Sequence, residues 1–330
     1  MAIKLKRRKK IFWRIPKMTK FALATYEENG VQRSAIKLNE QLFDLVTTYT
    51  AVNSNAIEKP AWVYSITEAI SQWACFATEI ETFAIQAEHL AKHGDISPIN
   101  DNCTILAPFK PATIFGTASN YHEHAAEMNT ILAAKPDSSP YVFMKATTSV
   151  VGTDADVILP PETQKLDWEV ELGVVIGKKA RRVKKEDALD YIAGYTVVND
   201  ISARDLNHRT DYPFKHDWFR GKSWDTFCPM GPTFVPKSCI EDTHNVKLAL
   251  FLNGKQMQNG NTSELIWDAF EQIEYLSSIL TLQPGDVIMT GTPAGVGKGI
   301  GLFLKDGDVL EASAQGIGTI RNTIKAEQIS

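Results

Sequence analysis

Two acidic side chains in a strand-like segment could bind a divalent metal ion. Residues 167–177 read DWEVELGVVIG, and because side chains alternate between the two faces of a strand, Glu169 and Glu171 share one face. Two neighbouring carboxylates repel each other, so one of them stays protonated unless a cation lies between them. Mg²⁺ and Mn²⁺ prefer oxygen ligands and keep positions open for water or substrate. The alternative is a half-buried strand with a solvated acidic face.

A third carboxylate follows the next strand-like segment along the chain. Residues 194–200 read GYTVVND, which predicts a strand that ends at an acidic residue, Asp200. If this strand lies beside the first one, Asp200 is the natural third ligand of the metal ion.

A histidine and a glutamate in the segment NYHEHAAEM have the spacing of a general-base pair. His124 and Glu127 are three residues apart, so on a short helix they lie on the same face. A carboxylate beside an imidazole fixes its tautomer and stabilises its protonated form, which suits proton transfer. The alternative is an ordinary ion pair at the surface. His122 does not join His124 in a metal site, because residues two apart point away from each other on a helix.

Two further segments carry polar groups that could contact a substrate. Lys222 lies between Gly221 and Ser223 in an aromatic setting, where a partly desolvated lysine could bind a carboxylate or polarise a carbonyl. Thr290 and Thr292 belong to the glycine-containing segment MTGTPAG and could donate hydrogen bonds from hydroxyl or backbone groups. A phosphate-binding loop is only weakly indicated there, because the GxxxxGK[ST] pattern is absent.

The surrounding pattern predicts the elements that position these groups. Apolar residues at helical spacing predict one helix over Ile66–His93, which stops at Gly94, and another over Trp267–Leu280. A short helix over Glu186–Ile192 would end at Gly194, a suitable residue for a helix C-terminus.

The chain divides by composition into a tail, a small leading domain and a larger domain. We predict a basic tail over residues 1–18, a small N-terminal domain with a packing role over 19–105, and a domain over 106–330 that carries every reactive group named above. Within the larger domain, residues 136–140 form a proline-bounded stretch that could act as a lid over the site.

The tail is strongly basic and the rest of the chain is acidic. Residues 1–20 hold nine Lys and Arg and no acid, and removing them from the net charge of −4 leaves −13 for the remainder. A domain that acidic is a poor binder of nucleic acid. We predict that residues 1–18 are disordered, or that translation starts at Met18. The alternatives are a tail that binds a membrane surface or nucleic acid or, with weaker support from its composition, a mitochondrial targeting segment.

The cysteines and the hydropathy pattern predict a cytoplasmic protein. The four cysteines are scattered and form no CxxC pair, which argues against a disulfide framework or a thiolate zinc site and fits a reducing compartment. Cys228 has no obvious base nearby in the sequence and is predicted to be a small buried residue. No apolar run reaches the length of a membrane span.

Taken together, the motifs from about residue 106 to 324 resemble the fumarylacetoacetate hydrolase family. The similarity is greatest to the longer members with a small N-terminal domain, which include the animal domain-containing-2 proteins. The matching segments, in order, are NYHEHAAEM, LPPETQKLDWEVELGVVIGKK, GYTVVNDISARD, GKSWDTFCPMGP, NGNTSELIW and GDVIMTGTPAGVG. The resemblance implies an α+β, mostly β fold, with a mixed β-roll catalytic domain behind a small α/β domain, and a homodimer.

The resemblance also implies a role for each of nine residues. The implied metal ligands, for Mg²⁺ or Mn²⁺, are Glu169, Glu171 and Asp200; the catalytic residues are His124, Glu127 and Lys222; the substrate-binding residues are Arg204, Asn207 and Thr292. In one respect the chain departs from the tyrosine-pathway member, because Thr117 stands where that enzyme has a further acidic ligand. Fumarylacetoacetate is therefore not the expected substrate.

These roles predict enolate chemistry on a small oxo acid. The first hypothesis is a hydrolase that cleaves a C–C bond in an acylpyruvate-like β-diketo acid through a metal-bound enolate, with His124 and Glu127 as the general base. The second is a tautomerase or isomerase of small oxo acids, such as oxaloacetate or hydroxymuconate-type dioates. The third is a catalytically silent binding protein. We expect a small-molecule partner, with no nucleic acid and no membrane span.

Overall fold

More of the described residues lie in β-strands than in helices, as the many short runs of β-branched and aromatic residues favour. The computed structural model describes residues 19–54, 58–100 and 102–328. The strands are β1 (Phe21–Glu28), β2 (Val31–Leu38), β3 (Gln41–Asp44), β4 (Thr104–Ile105), β5 (Ile114–Ala118), β6 (Tyr141–Lys145), β7 (Val150–Val151), β8 (Val157–Leu159), β9 (Leu166–Asp167), β10 (Val170–Ile176), β11 (Ile192–Asn199), β12 (Ser202–Ala203), β13 (Cys228–Pro236), β14 (Lys247–Leu252), β15 (Lys255–Asn261), β16 (Val287–Met289), β17 (Val309–Ala314) and β18 (Gly318–Ala326).

The helices are fewer and mostly short. The α-helices are α1 (Leu45–Val52), α2 (Ile66–Ser71), α3 (Trp73–His93), α4 (His122–Glu127), α5 (Trp218–Lys222), α6 (Ala269–Ile279) and α7 (Gly297–Ile300). Turns of 3₁₀ helix cover Ala61–Val63, Lys135–Asp137, Thr147–Ser149, Lys185–Tyr191, Lys237–Cys239, Thr243–Asn245 and Thr262–Glu264. The expected α+β, mostly β class is therefore confirmed.

The acidic strand lies inside the largest sheet. That sheet has the order β3-β2-β1-β13-β11-β10-β16-β5-β6, with β4 beside β1 and β7 beside β13. The strand β10 pairs antiparallel with β11 and β16, whereas β16 pairs parallel with β5, so the sheet is mixed as expected. All seven residues of β10 are buried, which excludes the solvated acidic face.

A second sheet completes the core on one face of the first. Its order is β15-β14-β17-β18-β8, and β17 and β18 pack against β11 while β18 also packs against β13. Buried apolar side chains from both sheets belong to one hydrophobic cluster, including Val197 of β11, Leu250 of β14 and Ile320 of β18. This packing gives β11 a fixed position beneath the site.

The leading segment joins the same large sheet. The strand β1 pairs with β13 at Leu23 and Phe234, and Trp73 of α3 contacts the ring of Phe234 edge-on at 5.0 Å between centroids. These contacts fit the packing role expected for residues 19–105. The domain boundary at residue 106 stays a prediction.

Two predicted helices differ from the structure. The helix expected over Ile66–His93 is broken at Gln72, whose φ of −121° and ψ of 27° are not helical, although Gly94 ends α3 in the left-handed conformation as predicted. The helix expected over Glu186–Ile192 is 3₁₀ and passes directly into β11. Gly194 therefore lies inside a strand, where it lets β13 approach closely, since an added Cβ would lie 2.2 Å from the carbonyl oxygen of Val235.

The N-terminal tail and a membrane span are the two remaining features on which the sequence made a prediction. The predicted disordered tail, residues 1–18, lies outside the described residues. Within the residues that are described, the structure has no helix that is both long enough and apolar enough to cross a lipid bilayer.

Candidate active site

Three carboxylates meet at the junction of β10 and β11. Glu169 immediately precedes β10, Glu171 lies in it, and Asp200 immediately follows β11. The Asp200 N–H donates to the Glu169 carbonyl at 2.8 Å, so the antiparallel pairing continues and brings all three side chains to one face. Their candidate ligand oxygens lie within 4.8 Å of one another, and all three residues are buried. This group could therefore hold a metal ion.

Two of the carboxylates already have cationic partners. Lys222, at the end of α5, donates to Glu169 Oε2 at 2.6 Å and also to Asp200 Oδ2. Arg204 Nη2 donates to Glu169 Oε1 at 2.6 Å. Burial alone raises the pKa of Glu169, but the Arg204 and Lys222 cations outweigh burial and hold that pKa well below its usual range. Glu169 is accordingly an ionised carboxylate.

Glu171 has no such partner among the described residues. Its Oε2 accepts a hydrogen bond of 2.5 Å from the Gly291 N–H. Burial, followed by the nearby carboxylates of Asp200 and Glu169, raises its pKa well above the usual range. This is the unfavourable carboxylate pair that the sequence predicted, and Glu171 is the member that favours its protonated form unless a cation lies beside it.

The local charges fit a divalent cation. The cluster contains four carboxylates, counting Asp167 behind Arg204, and three cations, the third being Lys145 on Asp200. When all four carboxylates are ionised, as metal binding requires, one negative charge is uncompensated on a buried face made of oxygen ligands, which is the donor set that Mg²⁺ and Mn²⁺ prefer. A bound divalent ion would change the net charge of this cluster from one negative to one positive, which favours an anionic substrate.

The predicted histidine–glutamate pair forms on α4. His124 is buried, and its Nδ1 lies 3.3 Å from Glu127 Oε2. The Gly295 N–H donates to both carboxylate oxygens of Glu127, at 3.1 and 3.2 Å. If Nδ1 carries the proton to Glu127, Nε2 is the ring nitrogen left to accept a proton. The buried position excludes a simple surface ion pair.

The two groups border a common small cavity. An inner cavity of about 50 Å³ has His124, Glu169, Glu171 and Lys222 in its wall, so the basic imidazole and the carboxylate cluster face the same space. This volume holds a few water-sized groups.

Thr292 and Thr117 also line the inner cavity. The Thr292 hydroxyl donates to the Val170 carbonyl at 2.8 Å and accepts from the Gln258 amide at 2.8 Å. The Thr117 hydroxyl donates to Gln272 at 2.8 Å. Thr117 therefore lies in the wall without contributing a carboxylate, and a substrate contact by Thr292 stays a prediction.

An outer cavity of about 640 Å³ opens beyond the inner one. Arg204 and Trp218 line both cavities. Asn207 lines only the outer cavity, and its buried Oδ1 has no hydrogen-bond partner among the described residues. The side chain lies against Gly221, where an added Cβ would come within 1.5 Å of Asn207 Oδ1. Asn207 is thus separated from the carboxylate cluster that Arg204 reaches.

Two charged residues near the site were not singled out from the sequence. Asp167 is fully buried and accepts from Arg204 Nε at 2.8 Å and from the Gly297 N–H at 2.6 Å. Lys145, at the end of β6, donates to Asp200 Oδ1 at 2.5 Å and to the Ile201 carbonyl at 3.1 Å. The only local signal for Asp167 is its position beside the acidic strand, and Lys145 has none.

Comparison with known protein families gives one match over most of the larger domain. Residues 113–325 match the family described as "Fumarylacetoacetate (FAA) hydrolase C-terminal". The match begins with β5 and includes every residue of both cavities.

Known proteins with named activities resemble the chain over most of its length. Human "Oxaloacetate tautomerase FAHD2A, mitochondrial" is 37% identical over 83% of this chain and 83% of its own length. A 5-carboxymethyl-2-hydroxymuconate delta-isomerase from Mycobacterium smegmatis is 36% identical, with a TM-score of 0.60 over 71% of this chain and 86% of its own. The fumarylacetoacetate hydrolase of Exiguobacterium antarcticum is 29% identical, with a TM-score of 0.70 over 93% of this chain and 100% of its own.

Proposed function

The chain belongs to the fumarylacetoacetate hydrolase family, and on that premise we propose that it is a divalent-metal-dependent tautomerase of a small 2-oxo acid such as oxaloacetate. The family resemblance drawn from the motifs is thereby confirmed, as is the expectation of an enzyme. The observation that carries the proposal is the shared inner cavity, where His124 of the His124–Glu127 pair faces Glu169 and Glu171 of the three-carboxylate group. The name of the human relative supports tautomerisation as the reaction.

Glu169, Glu171 and Asp200 would hold Mg²⁺ or Mn²⁺ in this proposal. The bound ion supplies Lewis acidity toward a substrate carbonyl and stabilises negative charge on an enolate oxygen. Lys222 holds Glu169 and Asp200 in place by its ammonium group. Its pKa is raised, because the carboxylates of Asp200 and Glu169 outweigh the opposing effect of burial, so it acts as a cation and not as a base.

His124 would move the proton. In the keto form of a 2-oxo acid, the carbon next to the carbonyl loses a proton to the imidazole, and the oxygen gains one to give the enol. The Glu127 carboxylate orients the ring through Nδ1 and stabilises the imidazolium between the two steps. Burial of His124 excludes bulk water from the proton transfer.

An assay of enol-oxaloacetate decay, with a divalent metal and with a chelator, tests the proposal. Purified protein with Mg²⁺ or Mn²⁺ should accelerate the decay of enol-oxaloacetate to the keto form, and EDTA should remove the acceleration. The variant Glu171→Gln should lose at least about a hundredfold in rate, since several kcal/mol of charge stabilisation are at stake. The matched variant Glu186→Gln, at an exposed site on a 3₁₀ helix, should retain the wild-type rate. Full activity in Glu171→Gln or in EDTA would contradict the proposal.

A C–C hydrolase of acylpyruvate-like acids is the second candidate. The outer cavity favours it, because about 640 Å³ exceeds what oxaloacetate needs and leaves room for an acyl group. In that reaction His124 would take a proton from water, and hydroxide would attack the distal ketone. Metal-dependent release of pyruvate from acetylpyruvate, with slow enol decay, would select this candidate over the tautomerase.

We also propose two properties of the whole protein that the sequence predicted. A homodimer follows from the family resemblance, and sedimentation velocity would test it. A cytoplasmic location stays our prediction, and the word mitochondrial in the human relative's name supports the alternative. Fractionation of cells that express the full chain would distinguish the two locations.

A further inference from the structure

The outer cavity is lined by positive side chains and by no acid. Lys135, Arg204 and Lys298 lie in its wall together with His208 and His216, and none of its described lining residues is Asp or Glu. A concave surface with charge of one sign raises the local concentration of ligands of the opposite sign. The cavity therefore suits an anionic group.

Lys298 is the one of these three cations without an ion-pair partner in the described part of the chain. Lys135 is paired with Glu271 at 2.8 Å, and Arg204 is paired with Asp167 and Glu169. Partial burial, followed by the neighbouring Arg204 cation, lowers the pKa of Lys298. An anion beside its ammonium group would relieve both effects.

Asp167 places Lys298 and Arg204 at the same edge of the cavity. A single oxygen, Asp167 Oδ2, accepts from the Lys298 backbone N–H at 3.0 Å and from Arg204 Nε at 2.8 Å. Arg204 also lines the inner cavity, and its Nη1 has no hydrogen-bond partner among the described residues. A ligand that extends outward from the carboxylate cluster therefore passes Arg204 and reaches Lys298.

We propose that Lys298 binds a second carboxylate of the substrate, at the end remote from the reacting carbonyl, and so makes the site prefer dicarboxylic to monocarboxylic oxo acids. This inference rests on the proposed function, because it assumes that the 2-oxo-acid end occupies the inner cavity. Lys298 is a specificity residue in this scheme and takes no part in the proton transfer.

Binding measurements on the Mg²⁺-loaded protein test the proposal without relying on turnover. The ligands are three dicarboxylates, oxaloacetate, 2-oxoglutarate and 2-oxoadipate, each compared by calorimetry with the monocarboxylate of equal chain length. These are 2-oxobutyrate, 2-oxovalerate and 2-oxohexanoate. At least one dicarboxylate should bind about tenfold or more tightly than its matched monocarboxylate, as expected for one added charge-assisted hydrogen bond.

Variants at position 298 assign the preference to the ammonium group. Lys298→Gln should reduce the ratio of dicarboxylate to monocarboxylate affinity to about threefold or less while monocarboxylate binding stays unchanged. Lys298→Arg should retain most of the preference for the dicarboxylate. The control Lys255→Gln, at an exposed hairpin position outside the cavity, should retain all of it. The melting temperature of each variant verifies that it is folded.

The possible failures are distinguishable. Equal binding of dicarboxylates and monocarboxylates by the wild type overturns this inference and leaves the proposed function standing. A preference that persists in Lys298→Gln overturns the role of Lys298. Binding of none of the six oxo acids overturns the proposed function and, with it, this inference.

Discussion

At the scale of single residues, chemically similar side chains have different tasks at the inner cavity. Lys222 bridges Glu169 and Asp200, whereas Lys145 pairs with Asp200 alone and donates a second hydrogen bond to the Ile201 carbonyl. The two lysines therefore hold Asp200 from both of its oxygens, and this fixes the direction of the carboxylate. A buried charge held in this way is costly to leave unpaired.

The histidine–glutamate pair yields a prediction with an internal control. His124→Gln should lower the rate of enol–keto conversion by roughly a hundred- to ten-thousand-fold, because the general base is lost. Glu127→Gln should cost less, about ten- to a hundredfold, because the base stays but loses the carboxylate that orients it. Initial rates at saturating Mg²⁺ measure both effects.

The control lies on the same helix. His122 is exposed and is two residues from His124, so His122→Gln should retain the wild-type rate. Equal losses in the variants at positions 122 and 124 would mean that the helix, and not the imidazole, is what the substitutions disturb.

At the scale of elements, Asp167 joins three parts of the chain behind the site. It ends β9, binds the first two N–H groups of α7, and binds Arg204 just after β12. Since α7 carries Lys298 and follows the Gly295 N–H that holds Glu127, this one carboxylate positions Arg204, Lys298 and the loop behind the general base.

Removal of this carboxylate should destabilise the whole protein. Asp167→Ala leaves the Arg204 guanidinium buried with one partner fewer and the N–H groups of Trp168, Gly297 and Lys298 without this acceptor, so the free energy of unfolding should fall by about 3 kcal/mol or more. Urea denaturation measures the loss. Asp211→Ala, which removes a partner of Arg209 at the exposed surface, should leave the midpoint unchanged. Equal midpoints for the two variants would contradict the positioning role of Asp167.

The range of each contact explains which site residues the sequence could predict. Glu169 with Glu171, and His124 with Glu127, are two and three residues apart, so strand and helix periods alone place them together. Lys145 and Asp200 are 55 residues apart, and Asp167 and Gly297 are 130 apart. Such contacts depend on sheet order, which no local pattern encodes.

At the scale of the whole molecule, the fold encloses the site from several distant segments. The mostly β class and the family fold could be predicted from the sequence, because six matching segments in the same order specify one topology. The break at Gln72 and the passage of a 3₁₀ helix into β11 did not follow from the local sequence pattern, which predicted continuous helix in both segments. Gly194 is an example of a position whose role depends on a distant strand. It lies close to Val235 of β13, some 40 residues later in the chain, and this contact cannot be read from the residues around Gly194.

A divalent ion should stabilise the entire fold, because its three ligands come together only in the native state. A ligand that binds only the native state adds about 2.7 kcal/mol at a concentration one hundred times its Kd. We expect the melting temperature to rise by a few degrees as Mg²⁺ or Mn²⁺ is added and to return to its starting value with EDTA. Glu171→Gln should weaken this response strongly. A melting temperature that does not depend on either ion would contradict the metal site.

The contact between Asn207 and Gly221 favours one order of mutation at these two positions. An added Cβ at position 221 would collide with Asn207 Oδ1, so a side chain there displaces the Asn207 amide unless position 207 has been shortened first. A first change at position 207 meets no such obstacle, since Asn207 can be replaced by serine or alanine beside an unchanged glycine. A lineage or a mutant library that places a side chain at position 221 therefore disturbs the wall of the outer cavity least when position 207 changes first, and reversion at position 207 then meets the new side chain at position 221.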